Sequence, residues 1–432
     1  MTPGEYFRSR LITYGEALGK IGSGDVIAMA AYGNEPRGLL RRLHTVFDSG
    51  VENLTVWLGN PTEDYPFVSA PGLDGKLEIL SIFFGENLRT HMPEGRISFV
   101  PNNLHSCFRV MMNCRAPNVF LAAVSPLDRY GYVSMSLSQQ TELELLDTAE
   151  LVIFEVNPGI PRTMGTVRIP AEKADYFIQA DYPISTAPEY PLTEQQLAIA
   201  DAAAELIKDG DTIQLGIGGM PDAVAMRLTG RSDLGIYTEM IGTAMGKLME
   251  CGAVNNSRKK FFRGRTIGAF CWGSMELYEY IDGNPMVELL PCSYVNDPFN
   301  IAKNENFVSV NGALQIDLTG QICSESIGAR QYSGTGGAWD FACGAYHARG
   351  GRGVIALPTT AKKGSVSRIV PALDRGAIVS IPRNIADYIV TEYGAVRLRD
   401  CSVRERAERL ISVAHPDYRA ELRREARKAL LL

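Results

Sequence analysis

Residues Gly210–Leu228 read GDTIQLGIGGMPDAVAMRL, and a related stretch, Gly24–Leu43, reads GDVIAMAAYGNEPRGLLRRL. Each opens with Gly-Asp and a short apolar run, passes through small residues and glycines to a proline, and ends in a helix-like pattern. A leucine lies seven residues beyond the proline in both, Pro36 to Leu43 and Pro221 to Leu228, and the register between Gly-Asp and proline differs by one residue. The pair reads as an internal duplication. The runs Val26–Ala31 and Thr212–Leu215 suit buried strands. Glycines let the chain turn sharply and bring its backbone close to a ligand. Proline fits the first turn of a helix, where its missing N–H is no loss. Each copy therefore predicts strand, tight turn, helix.

Outward from these copies the alternation continues. Leu54–Leu58 and Leu234–Thr238 are the next strand candidates, followed by Val119–Val124, Leu151–Val156, Phe307–Val310, Gly353–Leu357 and Ile378–Ile381. Strand alternating with helix argues for an α/β fold with mostly parallel sheets. The stretch Pro183–Thr193, PISTAPEYPLT, holds three prolines and precedes an alanine-rich helical run, Glu194–Lys208. The predicted division is accordingly 1–185 for an N-terminal domain and 186–432 for a C-terminal one. The last segment, His415–Leu432, is expected to be a helix docked on the body.

Composition narrows the function classes. With 45% hydrophobic and 21% charged residues the chain is one that folds. A net charge of -6 is not the basic footprint of a nucleic-acid binder. The eight cysteines form no C-x-x-C pair, so free thiols in a reducing compartment are expected. Cys343 and His347 lie four apart with no second pair to complete a zinc motif, so no metal is expected. No signal-peptide core and no run of ~18 apolar residues is present, which points to a cytoplasmic protein with no membrane partner.

The strongest local feature is Gln214-Leu215-Gly216-Ile217-Gly218-Gly219-Met220-Pro221. A glycine-rich turn before a helix aims backbone N–H groups at an anion or a developing oxyanion. A phosphate, a pyrophosphate or a thioester oxygen would suit it. A nicotinamide dinucleotide is the competing ligand, with Glu239 near the position of the ribose-binding acid. Pro221, at the third glycine position, argues against that. Glu239, in Ile236-Tyr237-Thr238-Glu239-Met240, falls at the end of a predicted strand, where parallel sheets bind ligands. There it can be a nucleophile, a helix cap or a salt-bridge acid. Ser333-Gly334-Thr335-Gly336-Gly337 is a second tight glycine segment, and Tyr294-Val295-Asn296-Asp297-Pro298 reads as a turn. Neither a G-x-S-x-G elbow nor a Walker loop occurs.

QLGIGGMP, IYTEM, SYVNDPFNIAKNENFVSVNGALQIDLTGQICSESIG, QYSGTGGAWDF, ALPTTAKKGSVSRIVP, IVTEYGAVRL and RERAERLISVAHPDYR occur in this order. Together with VSPLDRYGY and EVNPGIPRTMG nearer the N-terminus, they resemble the acetyl-CoA hydrolase/transferase family. Within it the likeness is greatest to 4-hydroxybutyrate CoA-transferases and butyryl-CoA:acetate CoA-transferases. The resemblance implies two similar α/β domains with the active site in the interdomain cleft. It implies that Glu239 is the nucleophile that becomes a glutamyl-CoA thioester. Gly216, Ile217, Gly218, Gly219 and Met220 would form the coenzyme A loop, with Leu314 and Gly337 as further contacts. Relatives often carry His or Ser where Tyr237 and Thr238 stand, and Cys271-Trp272-Gly273-Ser274 is bulkier than expected, which bears on the acyl group.

The implied activity is transfer of coenzyme A between short-chain carboxylic acids, acetate with butyrate or 4-hydroxybutyrate, by a ping-pong route. Coenzyme A is a co-substrate and no other cofactor is expected. The implied partners are acyl-CoA, small carboxylates and further copies of the chain in a homodimer or larger homo-oligomer. An acyl-CoA hydrolase using the same glutamate is the principal alternative. A dinucleotide-dependent oxidoreductase and a non-catalytic CoA-binding protein are the others.

Overall fold

The computed structural model describes residues 2–91, 95–180, 182–188, 191–216 and 218–432; Ile217, in the glycine loop, lies outside the described residues. The chain forms two compact units, Met1–Ala187 with Ile267–Tyr294, and Pro188–Thr266 with Val295–Leu432. A single cut at residue 186 therefore misses an excursion: Ile267–Tyr294 belongs with the first unit rather than with 186–432. Backbone pairing holds it there. Glu288 and Leu289 run parallel to Met164 and Gly165, Cys292 N–H donates to Gln139 C=O at 2.8 Å, and the Tyr278 hydroxyl donates to Ser185 C=O at 3.0 Å. Nothing in the local sequence marks this return, because the segment mixes apolar and charged residues as the rest of the chain does.

In the first unit the strands β1 (Val26–Met29), β2 (Leu54–Trp57), β3 (Leu77–Ser81), β4 (Ile97–Phe99), β5 (Val119–Val124), β6 (Leu151–Val156) and β7 (Tyr176–Gln179) form one sheet. Its order is β7-β6-β5-β1-β2-β3-β4, parallel throughout. Val119–Val124 (VFLAAV) is buried at every position, as expected of an interior parallel strand covered on both faces. Ile27, Val56, Ile79, Leu121 and Ile153 unite the strands in one core. β1 leads through a tight turn at Tyr32–Asn34 into the short helix α1 (Arg37–Leu40). Glu155 on β6, fully buried, accepts hydrogen bonds from the N–H groups of Gly38 (3.2 Å) and Leu39 and from the Tyr182 hydroxyl.

In the second unit α2 (Glu194–Ala204) starts at a capping box in which Thr193 and Gln196 bond reciprocally. The strands are β8 (Thr212–Leu215), β9 (Gly235–Ile236), β10 (Phe307–Gly312), β11 (Arg352–Ala356), β12 (Tyr388–Thr391) and β13 (Gly394–Arg397). Their order is β9-β8-β10-β11-β12-β13, parallel except for the final hairpin. Helices α3 (Gly219–Met226), α4 (Thr243–Glu250), α5 (Ala338–His347), α6 (Val403–Ser412) and α7 (Pro416–Lys428) complete it. α7 does dock, burying Leu422 and Ala426 against a core that includes Ile316, Leu357, Ile389 and Leu410.

The orders β2-β1-β5-β6-β7 and β9-β8-β10-β11-β12 are the same topology, so the sequence duplication is a fold duplication. One predicted strand is displaced. Ile378–Ile381 is not a strand: Ile378 is 45% and Val379 40% exposed, and Pro382 follows. The place next to β11 is taken by Tyr388–Thr391. The predicted strand Leu234–Thr238 pairs with β8 over Gly235–Ile236, and Leu234 bridges to Val254.

Candidate active site

In the second unit the chain leaves β8 towards β9 on one side and returns to β10 on the other. The crevice beyond the carboxyl ends of β8 and β10 is thus the switch point of the sheet, where open α/β sheets bind ligands. Gly216 follows β8 and Leu314 follows β10. The two strands are locked by the Gln214 and Asn311 side chains, whose amides exchange hydrogen bonds of 3.1 Å. Gly216 N–H adds a 2.9 Å bond to Val310 C=O. A Cβ at Gly216 would meet Asn311 Oδ1 at 3.1 Å, which explains glycine at that position. Gly218 caps α3 with φ +108°, a conformation that disfavours any side chain. Among the described residues no side chain caps the helix, so its first N–H groups have no capping partner. Gly219 and Met220 form its first turn and are half-buried. Leu314 is half-buried, and its N–H is committed to Cys323 C=O at 2.9 Å, so it is not free to donate to a ligand.

Glu239 lies three residues beyond the end of β9. The segment is anchored by Lys259, whose ammonium donates to Ile236 C=O and Arg265 C=O at 2.7 Å each, and by the fully buried Tyr237. Thr238 is buried too, its hydroxyl donating to Met240 C=O at 3.1 Å. Glu239 itself is half-buried. Its carboxyl accepts a 2.7 Å hydrogen bond from Asn296 Nδ2 and another from the Gly337 N–H. Burial of the carboxyl in protein, reinforced by the buried carboxyl of Asp340, raises its pKa from 4.5 to about 7 against the two hydrogen bonds that favour the anion.

Gly337 has no room for a side chain. A Cβ there would fall on Glu239 Oε2 and the Asn296 amide. The glycine is the N-cap of α5 and thereby presents a helix-start N–H to the carboxylate, an electrostatically favourable arrangement. Of the residues singled out in the sequence, the structure brings Glu239 and Gly337 into contact. Gly216, Gly218, Gly219, Met220 and Leu314 share the sheet edge. Asn296, read in the sequence only as part of a turn, is the residue that was missed. It is fully buried, and its Oδ1 has no hydrogen-bond partner among the described residues. The one sequence signal was its place immediately before Asp297-Pro298, which starts a short helix and fixes the Asn296 backbone.

Among the described residues no group of three or more His, Cys, Asp or Glu side chains is placed to hold a metal ion, and no helix is long and apolar enough to cross a membrane.

Known proteins share this architecture. The sequence profile of the acetyl-CoA hydrolase/transferase N-terminal domain matches residues 3–188, and that of the C-terminal domain matches residues 273–426. The chain is 40% identical over 428 residues to the succinyl-CoA:cyclohexane-1-carboxylate CoA transferase of Geobacter metallireducens, covering 98% of this chain and 96% of that one. It is 38% identical to the 4-hydroxybutyrate coenzyme A transferase of Clostridium kluyveri, over 98% of this chain and 99% of that one. The crystal structure of RipA from Yersinia pestis superposes with a TM-score of 0.95 at 35% identity, covering 100% of both chains. The chain belongs to the acetyl-CoA hydrolase/transferase family, among its CoA-transferases.

Proposed function

We propose that this CoA-transferase moves coenzyme A between short-chain carboxylic acids through a covalent thioester on Glu239, with acetate as one partner and butyrate or 4-hydroxybutyrate as the other. The observation that carries the mechanism is a half-buried carboxyl, raised to about 7, held by Asn296 and by the Gly337 N–H at a sheet edge lined with glycine. A carboxylate raised in pKa is more basic and hence more nucleophilic, yet near neutral pH a substantial fraction stays ionised.

In the proposed reaction the Glu239 carboxylate attacks the thioester carbonyl of acyl-CoA. Collapse of the tetrahedral species expels CoA thiolate and leaves an acyl-glutamyl anhydride. The thiolate then attacks the glutamyl carbonyl, releasing the first acid as its carboxylate and forming the glutamyl-CoA thioester. An incoming carboxylate runs the two steps in reverse. The oxyanion on the substrate side suits the N–H groups at the start of α3, at Gly219 and Met220. That on the glutamyl side suits Asn296 and Gly337, which already donate to this carboxyl. The anhydride conserves the energy of the thioester only where water is excluded. Contacts to the remote pantetheine and nucleotide, for which Leu314 is a candidate, supply binding energy expressed in the transition state. Coenzyme A is the co-substrate, and the chemistry calls for no other cofactor. A cytoplasmic homodimer or larger homo-oligomer completes the reading, checked by light scattering on the purified protein.

Acyl-CoA supplied without acceptor should load one CoA onto Glu239, seen by mass spectrometry of the intact chain and lost in Glu239→Ala. Initial rates should be ping-pong. Intersecting rate lines with no adduct would overturn the mechanism. Release of free CoA at the same rate with and without acetate would favour the hydrolase instead.

A further inference from the structure

The loop that delivers Gly337 to Glu239 is not held by its own backbone alone. Beneath it lies Glu325, 4% exposed. One of its carboxylate oxygens accepts from the Thr335 hydroxyl at 2.9 Å and from the Ser380 hydroxyl at 2.8 Å. The other accepts from Gln331 Nε2 at 3.2 Å. Its main-chain carbonyl accepts from the N–H groups of Tyr332 (2.8 Å) and Ser333 (3.0 Å). Gln331 reaches on to Ser333 C=O at 2.7 Å, and Ser380 Oγ in turn accepts from Ser324 N–H at 3.1 Å.

These side-chain donors are neutral, and three of the Glu325 contacts land on the stretch Tyr332–Thr335. Thr335 then accepts Ala338 N–H through its carbonyl at 3.2 Å, closing the turn in which Gly336 takes φ +53°. Gly337 follows at once. The approach is so close that only glycine is admitted beside Glu239. An isolated buried carboxylate is costly unless its lone pairs are filled, and a neutral amide could satisfy the same neighbours less completely. The Glu325 side chain, with both oxygens bonded, is therefore an anchor for the loop rather than a passive core group.

We propose that Glu325 is a positioning residue for the transfer reaction: through Thr335 it fixes the glycine loop so that the Gly337 N–H meets the carboxyl of Glu239. It does not touch the reacting atoms. This rests on the reading of Glu239 as nucleophile, and the test keeps the two apart. Formation of the CoA adduct would be followed by rapid-quench mass spectrometry across pH in wild type, Glu325→Gln and Thr335→Val. The Thr335 variant loses a single hydroxyl and serves where the Glu325 variant does not fold.

A misplaced donor costs on the order of 10- to 100-fold in rate. The expected result is an adduct rate lowered by about that factor in both variants, with little change in KM for acyl-CoA. The acid limb should move to higher pH, because the Glu239 anion loses a donor. In the double variant the losses should fail to add, since both act on one contact. Variants that load CoA at the wild-type rate with the wild-type pH midpoint would overturn the proposal, as would a fall in melting temperature with no movement of the pH limb. Absence of any adduct in the wild type would instead sink the nucleophile reading.

Discussion

Replacing Glu239 with Gln should abolish transfer and at the same time stabilise the protein, by an amount that grows with pH. The carboxyl titrates near 4.5 in the unfolded chain and near 7 in the folded one. At about 1.4 kcal/mol per unit this is about 3 kcal/mol of strain in the ionised folded state. The folded protein holds this proton more tightly than the unfolded chain does. The proton's contribution to stability is therefore complete below about 4.5 and is lost as pH rises through about 7. Gln is neutral throughout, nearly isosteric, and its carbonyl oxygen can still accept from Asn296. The variant's advantage should be about 1 kcal/mol near pH 5.5 and about 3 kcal/mol near pH 8.5. For units of roughly 200 residues each kcal/mol moves Tm by about 2–4 °C, so the Tm difference should widen by about 4–8 °C between those two pH values. Glu35 and Glu155 are also raised to about 7 by burial, but they titrate in both proteins and cancel in the difference. Thermal melts of the pair across this range are the assay. A Tm difference that stays constant with pH, or a variant less stable than wild type at pH 8.5, would refute the argument that desolvation of this carboxyl is held against folding.

The same titration predicts that kcat/KM for acyl-CoA falls about tenfold per pH unit below an apparent pKa of about 7; a flat profile down to about pH 5 would show that ionisation of Glu239 does not limit the reaction. Gly337→Ala should lower kcat by about 10²–10³-fold, as loss of an aligned donor does, with the far-ultraviolet circular dichroism of the wild type retained. Wild-type turnover in that variant would mean that the close approach of Gly337 to Glu239 is not used.

Much of the site was legible because its backbone demands are written in residue types. Gly218 at φ +108° and Gly337 beneath a carboxylate admit no side chain, and such glycines stand out in QLGIGGMP and SGTGG. Glu239 stood out as an acid placed after an apolar run. Asn296 and Glu325 did not stand out, because each works through tertiary contacts. Asn296 reaches Glu239 across 57 residues of chain, and Glu325 reaches Ser380 across 55. In a sequence the one looks like a turn residue and the other like any surface acid. The fold was similarly legible where strands are buried throughout, as at Val119–Val124, or at all but the first residue, as at Leu151–Val156. It was misread at Ile378–Ile381, where Ile378 and Val379 are exposed and only Ile381 makes an isolated bridge, to Ile322, and the excursion Ile267–Tyr294 could not be seen because nothing local distinguishes a core segment of one unit from that of the other.

The duplication also explains why an anion-binding reading belongs to one copy alone. In the first unit β1 runs into α1, and the N–H groups of Gly38 and Leu39 at that helix start are filled from within by Glu155, on the second strand over from β1. Tyr182 donates to the same carboxylate, and burial raises its pKa to about 7. That end of the first sheet is closed with its own acid. In the second unit the strand in the equivalent place is β11, Arg352-Gly353-Val354-Ile355-Ala356, whose carboxyl half carries no acid. Nothing from that strand can fill the start of α3, and Gly218 caps the helix without a side chain. The same strand, turn and helix thus produce a self-satisfied structural joint in one copy and, in the other, an uncapped helix start beside Gly216. An anionic ligand has a physical reason to bind at the second, where it supplies what Glu155 supplies at the first.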